Sequence, residues 1–576
     1  MAHHHAPPTG FHGPRCWVLS ALVGAVLGFL ISLVLPPPAP DAHDDGPEAP
    51  STRVFEKLPN GSAYERLPSG AAVPLPPDAE ISHTLPVPQP SRADSHAPGP
   101  EAEHSAAAHA DTDHHAPAPA LSPLLIIPFA VMLLSIAMMP FISERVWAVH
   151  YPDFAFFLGA LMLTYYLAAL GAYGREQMLH VALEYYAFIA LIGGLFVASG
   201  GILIDVRGRP SPALNTALLG FGAVIANIVG TTGASVLLIR PFMRLNRGRL
   251  RPIHVILFIF IVSNCGGCLT PIGDPPLYLG FLRGVDFFWT LRHLWPMWLT
   301  CVGLLLAIFF IIDSRIGPAP RDPAHDLVLN GCETPAPAGS DASERFSISV
   351  RGVTAMVALA LIVAGVFIDP ILGPRLGLAG VPIGPTFQIL VAATAWRLAP
   401  REIHDANSFN FHPVKEVGFL FIGIFLTMAP ALAYLQAHGA ELGLRTPTQY
   451  YFATGSLSAC LDNAPTYLNF LQAAFGMLHL PLDPEGIERF TQATYLITSP
   501  GAEAGFSLHG STLLAAISLA AVFFGAMTYI GNGPNFMVKA IAESAGLKMP
   551  SFFGYLVLAL ALHLPVLVLV WAVFLT

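Results

Sequence analysis

Ile272-Gly273-Asp274-Pro275-Pro276 recurs, altered, as Ile530-Gly531-Asn532-Gly533-Pro534, each time inside an otherwise apolar segment. No other feature constrains the fold of this chain as much. Where hydrocarbon surrounds the backbone, every N–H and C=O needs a partner inside the protein. A Gly/Pro interruption therefore survives only where it is packed in protein or lines a watered cavity. A carboxylate at that depth is expensive and marks a functional site. Composition puts the chain in that setting, with 54% of its 576 residues apolar and 11% charged, against roughly 25% charged in soluble domains.

The first apolar span covers residues 17–35 and opens at Trp17; a membrane anchor or signal segment is expected over residues 1–35. No small-x-small cleavage site follows it, which favours an uncleaved anchor. Residues 36–120 are rich in Pro, Ala, His, Asp and Glu without hydrophobic periodicity and are predicted to be a disordered periplasmic linker. Its histidines (His83, His96, His104, His109, His114 and His115) suit weak metal binding, but a solvated spacer is the simpler reading. The net charge of −9 comes largely from this stretch and says nothing of nucleic acid, for which the chain carries no motif. Six scattered cysteines form no secreted framework.

From residue 121 apolar spans follow at about 121–142, 151–172, 181–204 and 213–243. The last, with 31 residues, would run roughly 46 Å as a straight helix against a hydrocarbon core of roughly 30 Å. It is interrupted at Asn227-Ile-Val-Gly230-Thr231-Thr232-Gly233. Arg207 and Arg209 precede it, and Arg240, Arg244, Arg247, Arg249 and Arg251 follow it. Basic flanks at both ends put both on the cytoplasmic side, so the segment is predicted to be a re-entrant hairpin. A broken span at 252–282 and a helix at 294–313 complete a first repeat over 121–313; a cytoplasmic loop covers 314–350. The second repeat, 351–576, has spans near 352–372, 383–400 and 417–434, a hairpin over 449–475 broken at Leu461-Asp462-Asn463-Ala464-Pro465-Thr466, a broken span at 510–545 and a last helix at 551–574. Counting crossings from a periplasmic linker gives the halves opposite topology. The expected fold is an all-α polytopic membrane protein of two inverted-topology repeats, each with a re-entrant helical hairpin and a broken transmembrane helix. That plan places a transport site near the midplane.

Four breaks converge there: 227–233, 264–276, 461–466 and 528–535. Asp274, Asp462, Asn463 and Asn532 each stand before a proline in a position to cap the following helix. For Asn227, Asn463 and Asn532 capping alone is about as good an account as ligation. For the two aspartates it is weaker, because an amide caps without burying a charge. Asp274 and Asp462 among Asn264, Thr231, Thr232, Thr270, Thr466, Ser263 and Thr528 make a hard-oxygen environment suited to a small cation such as sodium. Desolvation favours the neutral carboxyl, so one group can hold a proton or a sodium ion in turn, the minimal chemistry of antiport. The half-helix N-termini argue the other way, since their positive ends favour an anion.

Weaker signals are Cys265-Gly-Gly-Cys268, better explained by a need for small residues in a break; Lys539 and Glu543, spaced to pair on a helix; Glu184, read as interfacial; and His563, read as a packing residue.

Ser263-Asn264-Cys-Gly-Gly-Cys-Leu-Thr-Pro-Ile272-Gly273-Asp274-Pro275-Pro276 resembles the N-x-G-G-x-x-x-x-I-G-D-P-P signature of the ion transporter superfamily, which includes sodium/proton antiporters of the NhaD type, arsenite pumps of the ArsB type and citrate carriers. Leu461-Asp462-Asn463-Ala464-Pro465 resembles its second-hairpin motif, and Ile530 to Asn535 its second break. The resemblance covers residues 121–576. It implies that Asn264, Asp274, Asp462 and Asn463 face the transported ion, and it implies a homodimer with an elevator-like transport domain. Where the antiporters read Asp-Asn in the first hairpin, this chain reads Ala226-Asn227.

The resulting expectation is a non-enzymatic secondary transporter of the bacterial inner membrane, without cofactor, that exchanges sodium for protons. Asp274 and Asp462 would be its exchangeable carboxylates, with Asn227, Asn264, Asn463, Asn532, Thr231, Thr232 and Thr466 around them. The alternative is a sodium- or proton-coupled carrier of citrate or another carboxylate or oxyanion. A receptor with the His-rich linker as metal sensor would leave the two buried aspartates without a purpose. No P-loop accompanies the spans, so primary pumping would need a partner.

Overall fold

The computed structural model describes residues 14–35, 53–59, 62–67, 72–75, 121–207, 209–316, 347–378, 380–407, 409–498 and 506–576. The linker histidines and most of the 314–350 loop lie outside these. Among the described residues, ten helices are long and apolar enough to cross a membrane. The protein is a mostly helical, polytopic membrane protein.

Helix α1 (Pro14–Val34) packs on α2 (Ile127–Ala169), which is split at Ser143 by a non-helical φ of −158°. The contact is close: a Cβ on Gly24 or Gly28 would lie 2.1 Å from the carbonyl oxygens of Phe157 and Leu161, respectively. Two glycines four apart on one helix face let the backbones approach, the small-xxx-small device of membrane helices. The Tyr165 hydroxyl donates to Leu35 O at 2.9 Å and fixes the end of α1.

Next come α3 (Gly171–Gly200), β4 (Leu203–Arg207) and α4 (Pro212–Leu245). Ser211 caps α4 ahead of Pro212, accepting from Leu214 N at 3.2 Å. As a straight rod α4's 34 residues would hold its ends roughly 50 Å apart. Instead Asn215 and Asn246 exchange two side-chain amide hydrogen bonds of 2.7 and 2.9 Å. The segment folds back on itself at Gly230, as its length and basic flanks predict. This is hairpin 1. The first broken helix follows as α5 (Pro252–Ile261), a 3-10 turn at Cys265–Leu269 and α6 (Pro275–Leu282), then α7 (Trp289–Arg315).

Strand β5 (Ser347–Arg351) pairs antiparallel with β4. The expected span at 352–372 is a bent pair, α8 (Val353–Gly365) and α9 (Ile368–Leu376), inclined at 53°. After α10 (Ile383–Leu398), α11 (Arg401–Ala406) and α12 (His412–His438) comes hairpin 2, made of α13 (Pro447–Cys460) and α14 (Asn463–Met477). Its arms meet where the Tyr450 hydroxyl donates to Met477 Sδ at 3.9 Å. Helix α15 (Pro484–Gln492) and the strands β6 (Thr494–Thr498) and β7 (Phe506–His509) lead into the second broken helix. That helix comprises α16 (Gly510–Phe524), a 3-10 turn at Gly525–Met527 and α17 (Gly533–Ser544), and α18 (Phe552–Leu562) with α19 (Leu564–Phe574) ends the fold.

Two expectations need correction. The fold is not purely helical, and the 36–120 stretch is not without structure throughout. Residues 53–57, 63–66 and 72–74 form β1, β2 and β3, which extend the β6–β7 hairpin into an antiparallel sheet of order β3-β2-β1-β6-β7. The pairing is anchored by a buried ion pair in which Arg66 Nε donates to Glu56 Oε2 at 2.8 Å. Val54 and Tyr495 are fully buried beside it. Prolines flanking these short strands hid their pattern from a reading based on periodicity.

The interior is made of the hairpins and broken helices. Every residue of α5 from His254 to Ile261 is buried, as is most of α16, whereas α1, α18 and α19 turn apolar side chains outward. Polar breaks thus sit inside protein, as backbone satisfaction in a bilayer requires.

Candidate functional site

Each broken helix is closed in the same way. Gly230, at φ +78°, ends the first arm of hairpin 1 in a conformation that L side chains rarely adopt. Thr231 N–H, at the start of the second arm, donates to Gly273 O in the first break at 2.8 Å. Thr270 Oγ1 donates to Asn227 O at 2.6 Å and accepts from Gly273 N at 3.2 Å. Thr528 repeats both contacts in the second half. It donates to Ala459 O near the tip of hairpin 2 at 2.6 Å and accepts from Gly531 N at 3.1 Å. One threonine in each break therefore ties it to the tip of its own hairpin.

Asp274 occupies the N-cap position of α6, yet its side chain makes no capping bond. The carboxylate is spent on three other elements. Oδ1 accepts from Thr231 Oγ1 of hairpin 1 at 2.7 Å and from Asn532 Nδ2 of the second break at 3.0 Å. Oδ2 accepts from Asn463 Nδ2 of hairpin 2 at 2.5 Å. The residue is 1% exposed. A buried carboxylate with several donors is the arrangement that offsets its desolvation.

Around it runs a chain of amides. Asn532 Nδ2 also reaches Asn264 Oδ1 at 3.2 Å, and Asn264 Nδ2 donates to Asn535 Oδ1 at 2.7 Å and Ile259 O at 2.9 Å. Asn535 closes the network by donating to Gly525 O and Thr528 O at 2.8 and 2.9 Å. Asn463 Oδ1 is buried without a hydrogen-bond partner among the described residues. An unpaired acceptor beside a carboxylate is what a cation or a donor-bearing cargo would use.

Five of the anticipated residues meet here: Asp274, Asn264, Asn463, Asn532 and Thr231. The others do not. Asp462 caps α14, accepting from Ala464 N at 3.0 Å, so the capping reading fits it better than Asp274. It still lies within electrostatic range of Asp274. Thr466 donates to Asp462 O at 2.8 Å, a local back-bond. Asn227 is saturated by backbone: Nδ2 donates to Gly266 O at 2.7 Å and Ala223 O at 3.0 Å, and Oδ1 accepts from Leu269 N at 2.7 Å. Its amide splices hairpin 1 to the 3-10 turn. Thr232 does not bond Asp274 but lines a small cavity beside the site, with Gly230, Thr231, Gly273 and Pro275. Asn535 joins the site without having been singled out; its position one turn after Asn532 in the Gly/Asn-rich break was the available signal.

Cys265 and Cys268 are buried free thiols, with Cys265 Sγ 3.7 Å from Cys301 Sγ. Among the described residues no three or more His, Cys, Asp or Glu side chains cluster as a metal site. His563 Nε2 hydrogen-bonds Phe523 O at 2.9 Å and stacks on Phe260. Glu184 pairs with Arg283 at 3.0 Å, and Lys539 with Glu543 at 3.3 Å.

Four helical segments begin at this cluster: the second arm of hairpin 1 after Gly230, α6 at Asp274, α14 at Asp462 and α17 at Asn532. Side chains at three of these starts, Thr231, Asn463 and Asn532, bond the Asp274 carboxylate that precedes the fourth. A family model described as "Putative citrate transport" matches residues 118–575. No curated protein matches the chain.

Proposed function

The chain belongs to that citrate transport family, and from this membership we propose that it is a secondary carrier of citrate or a similar carboxylate, driven by a coupling cation held at Asp274. The observation that carries the proposal is the meeting of four helix starts at a single carboxylate, which accepts from the Thr231 hydroxyl and the amides of Asn463 and Asn532. Positive helix ends and amide donors favour an anionic cargo. Asp274 opposes that cargo unless a cation or proton neutralises it, which makes cargo and coupling ion interdependent.

In this mechanism Asp274 and the free Asn463 Oδ1 receive the coupling cation, sodium or a proton. The neutralised site then accepts a cargo carboxylate at the N-termini of hairpin 1's second arm and α14. Release of the cation on the far face restores the carboxylate and expels the anion. Sodium/proton exchange alone, the first expectation from the sequence, is less well supported: the family is described by citrate transport, and Asp462 is committed to capping. Two repeats of inverted topology in a homodimer of the bacterial inner membrane belong to the same proposal. The recurrence of the threonine contacts at Thr270 and Thr528 supports the repeat.

Proteoliposomes with imposed sodium, proton or potassium gradients and labelled citrate provide the test. Uptake that needs a sodium or proton gradient and is lost in Asp274→Asn is the expected result. Collapse of a pH gradient by sodium alone, with no citrate uptake under any gradient, would replace this reading with antiport.

A further inference from the structure

A second buried carboxylate lies at the opposite end of hairpin 1 from Asp274. Asp313, near the end of α7, is 1% exposed. Its Oδ2 accepts from Asn215 Nδ2 at 2.8 Å, and its Oδ1 accepts from Arg249 Nη2 at 2.6 Å and from His254 Nε2 at 2.9 Å. Arg251 N–H donates to His254 Nδ1 at 2.9 Å, which assigns the ring proton to Nε2 and turns it on Asp313. Arg249 also donates to Asp313 O at 3.0 Å. One carboxylate thus joins the first arm of hairpin 1, the turn after its second arm and the start of α5. Beside it Asn215 and Asn246 pair the two arms directly.

The corresponding end of hairpin 2 is held differently. Trp571 of α19 donates Nε1–H to Thr448 Oγ1 at 3.0 Å at the start of α13, and the arms meet through Tyr450 and Met477. These contacts are neutral. At the tips each hairpin is tied to its own break by one threonine, Thr270 or Thr528, to which hairpin 1 adds Thr231 N–H and the Asn227 amide, and α14 adds Asn463 Nδ2 on Asp274.

We propose that Asp313 is a positioning residue: it clamps the open end of hairpin 1, holds Thr231 against Asp274, and leaves hairpin 2 as the arm that yields when cargo enters. The inference rests on the carrier reading of the Asp274 site. Removing one member of a buried charged network leaves the others unpaired, so loss of the Asp313 charge frees the arm that carries Thr231.

Hydrogen–deuterium exchange on the full chain in lipid nanodiscs, with and without sodium citrate, reads both halves of the proposal. In the wild type, citrate protects residues 447–477 along both arms and, within 212–245, only the amides just after Gly230. In Asp313→Asn, exchange over 212–245 rises by about tenfold or more, because local opening sets the rate. Citrate uptake by the same variant shows a raised KM at retained maximal rate. A merely structural residue would lower the yield of folded protein and leave the KM of the folded fraction alone. Arg249→Gln, which keeps the carboxylate, gives a milder form of the same result if Asp313→Asn does not fold. Equal citrate protection of both hairpins, or unchanged exchange over 212–245 in both variants, overturns the proposal. Loosening of 212–245 by the variants with no citrate protection anywhere supports the clamp and removes the carrier reading instead.

Discussion

Asp274 and Asn532 stand 258 residues apart in sequence, each at the N-cap of a half-helix after a break, and Asn532 Nδ2 donates to Asp274 Oδ1 at 3.0 Å. Equivalent positions of the two breaks therefore meet, one as a carboxylate and one as an amide. Two carboxylates would repel at this separation, and two amides would leave Thr231 without a charged acceptor.

The first prediction concerns that pairing. Asp274→Asn places an amide NH2 against the donors of Asn463 and Asn532, and an unmet buried donor costs roughly 1–3 kcal/mol. Thermal melting of the purified protein should fall accordingly, and uptake should be lost. In the double variant Asp274→Asn with Asn532→Asp the amide can donate to the new carboxylate. Part of the lost stability should return, read as a non-additive double-mutant cycle.

Closure of the breaks gives a second. A Cβ on Gly273 would lie 2.1 Å from Gly267 O, and a Cβ on Gly531 would lie 2.6 Å from Gly525 O. Gly230 adds a positive φ of 78°, worth roughly 1–3 kcal/mol of strain for another residue. Alanine at any of the three should lower the monodisperse fraction on size-exclusion chromatography. Gly303→Ala, where a Cβ meets nothing within 4 Å, should leave it unchanged.

A third tests the sheet built from the N-terminal extension. Glu56 and Arg66 are 0% and 6% exposed and bond to each other. Breaking a buried pair from one side costs roughly 3–5 kcal/mol. Glu56→Gln should render residues 53–75 sensitive to limited proteolysis while the transport body stays intact on the same gel.

The fourth prediction follows from the packing of α1. Leucine at Gly24 or Gly28 drives a side chain into the Phe157 or Leu161 carbonyl. Such variants should release α1 from α2, seen as new labelling of a cysteine placed at Ile31, which packs against the core. Protein purified from membranes should keep residues 14–35 in its intact mass, because α1 is part of the packed fold; a mass lacking them would make the segment a removable signal.

What was legible in the sequence was local. Pro252, Pro275, Pro447 and Pro534 fix helix starts through their own φ and missing N–H, and Gly230 permits the reversal that the length of 212–245 demands. Both hairpins and both broken helices could be placed on that basis. The strands at 53–74 could not, because the local pairs β1–β2 and β2–β3 join a sheet only where β1 meets β6, more than 400 residues away in the chain.

The division of labour among the polar residues was partly hidden. Pro275 and Pro276 leave Asp274 no N–H to cap at the first two helical positions, whereas Ala464 offers one to Asp462. Tertiary structure gave Asp274 its three partners by bringing it against the opposite half of the molecule. Asn463, Asn532 and Asn535 reach their partners across sequence separations of 189, 258 and 271 residues. Sequence determined where the helices break, since that depends on φ, ψ and a missing donor within a few residues. Which broken ends share a carboxylate was decided only when the two halves packed, since a hydrogen bond depends on position in space and not on distance along the chain.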